Sequence, residues 1–295
     1  MASARGRALA RRLRRLAVHV VAGAAAVLIP LWAAGVTGVL DRFLLYFPDS
    51  ALTATPADVG LAYEDVTFPA GDGVRLHGWF VPGRSDVTWL WFHGNAGNIG
   101  NRVDNLKQLH DRLGVGVFLF DYRGYGRSEG SPSERGLYLD ADGALAYLGS
   151  RDDVRSDRIV YFGRSLGGAV AVDLASRQVP HGLILESPLP SVELVARKAY
   201  PVVPSAVVRR FVRGRYDALS KIGTISAPVL VLHGDRDEIM PLEGARQLFE
   251  AAPGPKQFHV IPGAGHNDTY VVGGEPYFAV LRTFVERLVR EGRSA

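Results

Sequence analysis

Past Pro48, short apolar runs rich in β-branched and aromatic residues recur between polar, glycine-bearing turns. Runs of this length, bounded by turn residues, predict strands at 63–68, 74–81, 87–92, 117–121, 158–162, 182–186, 229–233 and 257–261. The first two read as a hairpin, with Gly71, Asp72 and Gly73 as its turn. From residue 87 onward, stretches of helical spacing follow the strands, and helices are expected near 100–112, 134–149, 166–177, 242–252 and 275–290. Strands alternating with helices predict an α/β class: a mostly parallel eight-stranded sheet, covered by helices on both faces. In such sheets ligands bind beyond the carboxyl ends of the strands, so the turns at those ends are where chemistry is to be sought.

One segment does not fit that alternation. Residues 16–40 contain no formally charged side chain. As a helix they reach about 37 Å, against about 30 Å of bilayer hydrocarbon, enough to span it. Arg5, Arg7, Arg11, Arg12, Arg14 and Arg15 precede the segment, while only Asp41 and Arg42 follow it closely. This charge bias predicts a basic cytoplasmic tail (1–15), a transmembrane anchor (16–40) and an extracytoplasmic domain (41–295). The rival is a cleaved signal peptide, of the twin-arginine type given the paired arginines, which leaves a secreted protein.

Charge and composition narrow the functions further. The net charge of +4 is a property of the tail: beyond residue 15 there are 28 basic side chains against 30 acidic ones. A folded domain so balanced lacks the basic patch of a nucleic-acid-binding protein, so no nucleic-acid partner is expected. The chain has no cysteine, which excludes disulfides, zinc–thiolate sites and a thiol nucleophile. Neither a P-loop lysine nor G-x-G-x-x-G is present, and no cofactor or metal is expected.

The predicted strand at 158–162 runs directly into Gly163-Arg164-Ser165-Leu166-Gly167 and then an alanine-rich helical stretch. Strand, tight turn and helix around G-x-S-x-G are the context of a nucleophile elbow, in which the serine hydroxyl projects above the sheet. A second G-x-S-x-G, Gly126 to Gly130 around Ser128, lies past its strand and is followed by Ser131-Pro132-Ser133 where an elbow needs helix; a plain surface loop is expected there. A serine hydroxyl needs a base, and the base an orienting acid. Asp237 follows the strand at 229–233 and His266 follows the strand at 257–261, which gives the chain order serine, acid, histidine. Asp235 and Asp268 are nearby rival acids; Asp237 is preferred on its H-G-x-x-D spacing from His233. An oxyanion hole requires two N–H groups. Leu166, next to the serine, is one candidate, and Asn95, in the small-residue turn after the strand at 87–92, is the other; His93 is expected to be structural.

HGNAGN (93–98), DYRGYGRSEGSPSE (121–134), GRSLGG (163–168), HGDRDEIMP (233–241) and GAGHNDTY (263–270) together resemble the α/β-hydrolase superfamily. Within it the chain resembles the Bem-type group of membrane-anchored hydrolases, over about residues 44–289. The resemblance implies an α/β-hydrolase fold with Ser165 as nucleophile, Asp237 as acid, His266 as base, and Asn95 and Leu166 as oxyanion donors. It further implies a serine hydrolase acting on a small-molecule or lipid-like acyl substrate, ester or thioester. An acyltransferase or peptidase would use the same residues, and a non-catalytic binding protein that kept the architecture is the rival from another class.

Residues 187–226, where such folds insert a cap, form a short segment, so an open pocket is expected. Its Ser205 to Arg215 stretch reads as an apolar and basic helix with Ser205 as N-cap. It is either an ordinary cap helix with solvated arginines or one that meets anionic lipid or an acidic substrate.

Overall fold

The computed structural model describes residues 45–291 apart from 200, 201 and 203. The expected tail and anchor at 1–40 lie outside the described residues; among those described, no helix is long and apolar enough to cross a membrane.

The chain enters through a two-residue strand, β1 (Phe47–Pro48), followed by the hairpin β2 (Glu64–Pro69) and β3 (Arg75–Val81). Then come β4 (Thr88–Phe92), the two-residue β5 (Ala96–Gly97), helix α1 (Val103–Leu113), β6 (Gly116–Asp121), α2 (Glu134–Gly149), β7 (Ile159–Arg164), α3 (Leu166–Ala175) and β8 (Gly182–Glu186). The cap segment forms three short helices, α4 (Val192–Ala199), α5 (Ser205–Phe211) and α6 (Leu219–Ile222). The domain closes with β9 (Val229–Gly234), α7 (Leu242–Ala251), β10 (Lys256–Ile261) and α8 (Thr269–Glu291). Eight strands form one sheet in the order β10-β9-β8-β7-β4-β6-β3-β2, with β3 antiparallel to both its neighbours and every other pair parallel.

Both faces of the sheet are buried, and the side chains divide by the two-residue period of a strand. Leu90 and Phe92 of β4, with Tyr161 of β7, pack on the side of α2, α3 and α7. Their neighbours Trp89, Trp91 and Phe162 face α1 and α8. The interior strands β4, β6, β7, β8 and β9 therefore read as largely continuous apolar runs, because neither face meets water, whereas the edge strand β2 alternates exposed and buried positions and β10 is half-buried.

Several expectations are refined. The helix expected at 100–112 is a 3-10 turn (Ile99–Arg102) followed by α1. Helix α8 begins earlier than 275 but is broken at Gly274 (φ 51°, ψ −141°), so the expected element is its second half. Ser205 is not an N-cap: Pro204, extended at φ −60° and ψ 138°, takes that place, and Ser205 is the first helical residue with no side-chain cap above it. The β1–β5 pair was not foreseen. It lays the start of the described chain against the turn after β4, in parallel register.

Candidate active site

Strand β7 ends at Arg164, and Ser165 makes the turn into α3 with φ 54° and ψ −121°, a region non-glycine residues rarely occupy. The flanking glycines are required by close approach. A Cβ on Gly163 would lie 2.7 Å from the Gly168 Cα, and one on Gly167 would lie 2.0 Å from the Phe92 carbonyl oxygen. Without side chains there, α3 sits directly on β4 and β7, and the Ser165 side chain stands at the carboxyl end of the sheet.

The loops after β9 and β10 bring the other two residues to it. His266 Nε2 lies 3.0 Å from Ser165 Oγ, and His266 Nδ1 lies 2.8 Å from Asp237 Oδ2. A carboxylate can only accept, so Nδ1 carries the proton and Nε2 is left to accept from the serine hydroxyl. Asp237 Oδ1 accepts from the backbone N–H groups of Ile239 (2.9 Å) and Met240 (2.7 Å), which fixes the carboxylate plane. Burial pushes the Asp237 carboxyl up, but the His266 hydrogen bond and charge, with the Met240 N–H, outweigh it and hold the pKa below the usual range. The rival acids are employed elsewhere: Asp235 accepts from Gly263 N–H and Asp268 from Gly265 N–H, both at 2.7 Å, as caps of the histidine loop.

Leu166 is the first residue of α3, so its N–H is one of those with no acceptor inside the helix, at the positive end of its dipole. Asn95 lies in the turn after β4, and its Oδ1 accepts from the Tyr125 hydroxyl at 2.9 Å. A Cβ on Gly94 of the same turn would come within 3.4 Å of the Ser165 Cβ. His93 is fully buried behind the turn, its Nδ1 2.7 Å from the Gly94 carbonyl. Burial, with the nearby Arg102 charge, pushes its pKa down to about 3, so it is neutral at working pH and serves structure.

Two hollows meet at Ser165. One, of about 200 Å³, is apolar, with Leu45, Leu166, Leu189, Val195, Tyr216 and Met240 in its wall. The other is an open cleft of about 700 Å³, with Phe47, Asp49, Arg102, Arg164, Ile239 and His266 around it. Asn95 borders both.

A supporting network was missed in the sequence. Arg164, the variable residue of the elbow motif, donates from Nη2 to the His266 carbonyl (2.7 Å), while its Nε lies 3.3 Å from Glu186 Oε1. Glu186, fully buried at the end of β8, accepts from Thr269 Oγ1 (2.5 Å) and Tyr277 OH (2.6 Å) of α8. The elbow, β8 and the histidine loop are thus tied through one carboxylate. Its only sequence signal is an acid closing an otherwise apolar strand.

The family model described as serine aminopeptidase, S33, matches residues 84–208 and 200–269. Protein bem46 of Schizosaccharomyces pombe is 34% identical over 89% of this chain and 91% of its own length. An uncharacterized membrane protein of Saccharomyces cerevisiae is 34% identical over 87% of this chain and 86% of its own. Among solved structures, an esterase of Pyrococcus furiosus superposes with a TM-score of 0.68 over 82% of this chain and 97% of that chain, at 22% identity, and so shares its fold.

Proposed function

Because the chain belongs to the serine aminopeptidase S33 family of α/β-hydrolases, we propose that it is a membrane-anchored serine hydrolase that cleaves carboxylic esters or thioesters through an acyl-enzyme. The observation that carries this is the unbroken hydrogen-bond chain Ser165–His266–Asp237 beside an apolar pocket. Ser165 Oγ attacks the carbonyl carbon while His266 Nε2 takes its proton; Asp237 holds the imidazole in that tautomer and stabilises the cation that forms. The N–H groups of Leu166 and Asn95 receive the developing oxyanion. His266 then protonates the leaving group, and water, deprotonated in turn by His266, releases the acyl chain.

Peptidase chemistry, which the family description names, would require a place for a substrate ammonium beside the scissile bond. In the wide cleft the Arg164 charge is met by Glu186, which leaves Arg102 opposite Asp49; this balance offers no net anionic site for an N-terminal ammonium. The anchor rests on the uncharged segment 16–40 and the arginines before it. Mass spectrometry of the membrane fraction tests it: a mature N-terminus beyond Ala34 replaces the anchor with a signal peptide.

The test of the chemistry is hydrolysis of p-nitrophenyl esters from acetate to palmitate by the full chain, with Ser165→Ala as control. Turnover that vanishes in the variant supports the serine mechanism, and the chain-length optimum measures the Leu45-lined pocket. A folded wild type inert to every oxygen ester and thioester would overturn it.

A further inference from the structure

We propose that the end of the domain bearing Ser165 rests on an anionic lipid bilayer, so that acyl substrates enter the Leu45-lined pocket from the membrane. The inference rests on the hydrolase and anchor readings above and adds to them an orientation, a contact surface and a source of substrate.

The first support is an asymmetry of apolar exposure. Among the described residues the exposed large hydrophobic side chains are Phe47, Val179, Val202, Val207, Ile239, Val271 and Val272. All but Val179 belong to the segments that frame the carboxyl end of the sheet: the entry strand, the cap, the loop carrying Asp237 and the first turn of α8, just past the His266 loop. Phe47 and Ile239 border the catalytic cleft itself, and each is more than half exposed, at 55% and 51%. Val202, in the cap, is 90% exposed. Exposed bulky apolar residues gathered at one end of a domain mark a contact surface.

The second is charge. Residues 187–226 hold seven basic side chains and two acidic ones, although the chain beyond residue 15 is close to balance. Arg197, Lys198, Arg209, Arg210, Arg213 and Arg215 are exposed. Of the two acids, Glu193 is paired with Arg209 at 2.6 Å. Apolar residues interspersed with cations suit a headgroup layer, where each Lys or Arg near an anionic surface contributes about 1 kcal/mol.

The third is the length of chain outside the described residues and where it ends. Leu45 is in the pocket wall, Tyr46 is buried with its hydroxyl 2.6 Å from that of Tyr216, and Phe47–Pro48 is paired to the turn beside Ser165. The uncharged segment ends at Leu40, five residues before Leu45. Five residues span at most about 18 Å. An anchor in the membrane therefore keeps the pocket within that distance of the hydrocarbon, and the headgroup layer fills about 5–7 Å of it. The same end of the domain thus carries the tether, the apolar rim and the cations.

The absence of cysteine permits a direct test, with a nitroxide placed at Val207→Cys in the cap or Val179→Cys at the opposite end of the full chain. In vesicles of phosphatidylcholine and phosphatidylserine, the label at 207 is expected to be shielded from a water-soluble relaxation agent and that at 179 to remain accessible. Equal accessibility at the two positions would overturn the proposal. So would shielding at 207 that persists in detergent without lipid, which would mark a protein partner. In parallel, Arg209→Glu with Arg210→Glu is expected to lower turnover of a bilayer-dissolved long-chain ester about tenfold or more, while leaving water-soluble p-nitrophenyl acetate unchanged. Equal effects on both substrates would also count against it. Loss of acetate turnover in the wild type would instead strike the hydrolase reading, and release by alkaline carbonate the anchor, each separable from the label result.

Discussion

Ser165 and Ser128 each stand at the centre of a G-x-S-x-G, and the molecule uses the two five-residue stretches in unlike ways. Around Ser165 the glycines let a helix close onto the sheet, and the hydroxyl is left facing His266 Nε2 at 3.0 Å. Around Ser128 no helix follows. Gly126 (φ 49°) packs against the Asp121 carboxylate, which a Cβ would approach to 1.9 Å. The Ser128 hydroxyl donates to the Asp121 carbonyl (2.7 Å) and accepts from the His77 N–H (2.9 Å), so it clips β6 to β3. The loop expected there does lie on the surface, with Arg127, Glu129 and Gly130 exposed, but its serine is a buried tie, because both hydrogen-bonding capacities of the hydroxyl are taken up by backbone. A motif thus specifies spacing, and the elements on either side decide whether its serine is presented or consumed.

The sharpest way to break this comparison is to remove each hydroxyl in turn. Ser165→Ala is expected to lower kcat about a millionfold, and Ser128→Ala to leave it within about twofold, by steady-state ester hydrolysis. Labelling by a fluorophosphonate should disappear only in the first; the opposite pattern would reverse the assignment. Next in size, Asp237→Asn keeps the shape of the site but permits the wrong histidine tautomer, and a loss of about ten-thousandfold in kcat is expected. A wild-type rate in that variant would remove Asp237 from the mechanism and return the role to Asp235 or Asp268.

What the sequence made legible follows the same division. The interior strands could be read because both their faces are buried, so each appears as an apolar run such as Ile159 to Phe162, while the edge strand β2 shows only the alternation of Val66 and Phe68 with exposed neighbours. Ser165, Asp237 and His266 could be singled out because each closes or follows such a run at the same end of the sheet. Glu186 could not: its partners Thr269 and Tyr277 are 83 and 91 residues away, and nothing local distinguishes it from a strand-ending acid. The β1–β5 pair is two residues long, too short to leave a periodic signal. The cap helices are short and stand on the surface, where packing rather than propensity sets the boundaries, and there the expected N-cap slipped by one residue to Pro204.

Smaller effects separate the two serines by stability rather than rate. Ser128→Ala leaves a buried N–H of His77 without its acceptor, and an unsatisfied donor of this kind costs about 1–3 kcal/mol. The urea midpoint should fall accordingly while turnover stays; an unchanged midpoint would mean that water replaces the hydroxyl and that the clip contributes nothing.

The last test concerns Asp121, the carboxylate against which Gly126 packs. Burial pushes its pKa up to about 7, only partly opposed by the Ile99 N–H and the Arg102 charge. In the unfolded chain a carboxyl titrates near about 3.9. Between roughly pH 4 and 7 the folded protein thus holds a proton that the unfolded chain has lost, and this group's contribution to stability must fall as pH rises through that window. His93 beside it does not titrate there, since its pKa lies at about 3. Asp121→Asn keeps an oxygen to accept from Ile99 N–H while removing the titration. At about pH 4 the variant should match the wild type, and at pH 8 it should be the more stable by about 2–4 kcal/mol, from urea midpoints at the two values. Parallel profiles would show that Asp121 is ionised at low cost. The stretch around Ser128 would then pack against a buried charge that the Ile99 N–H and the nearby Arg102 suffice to hold.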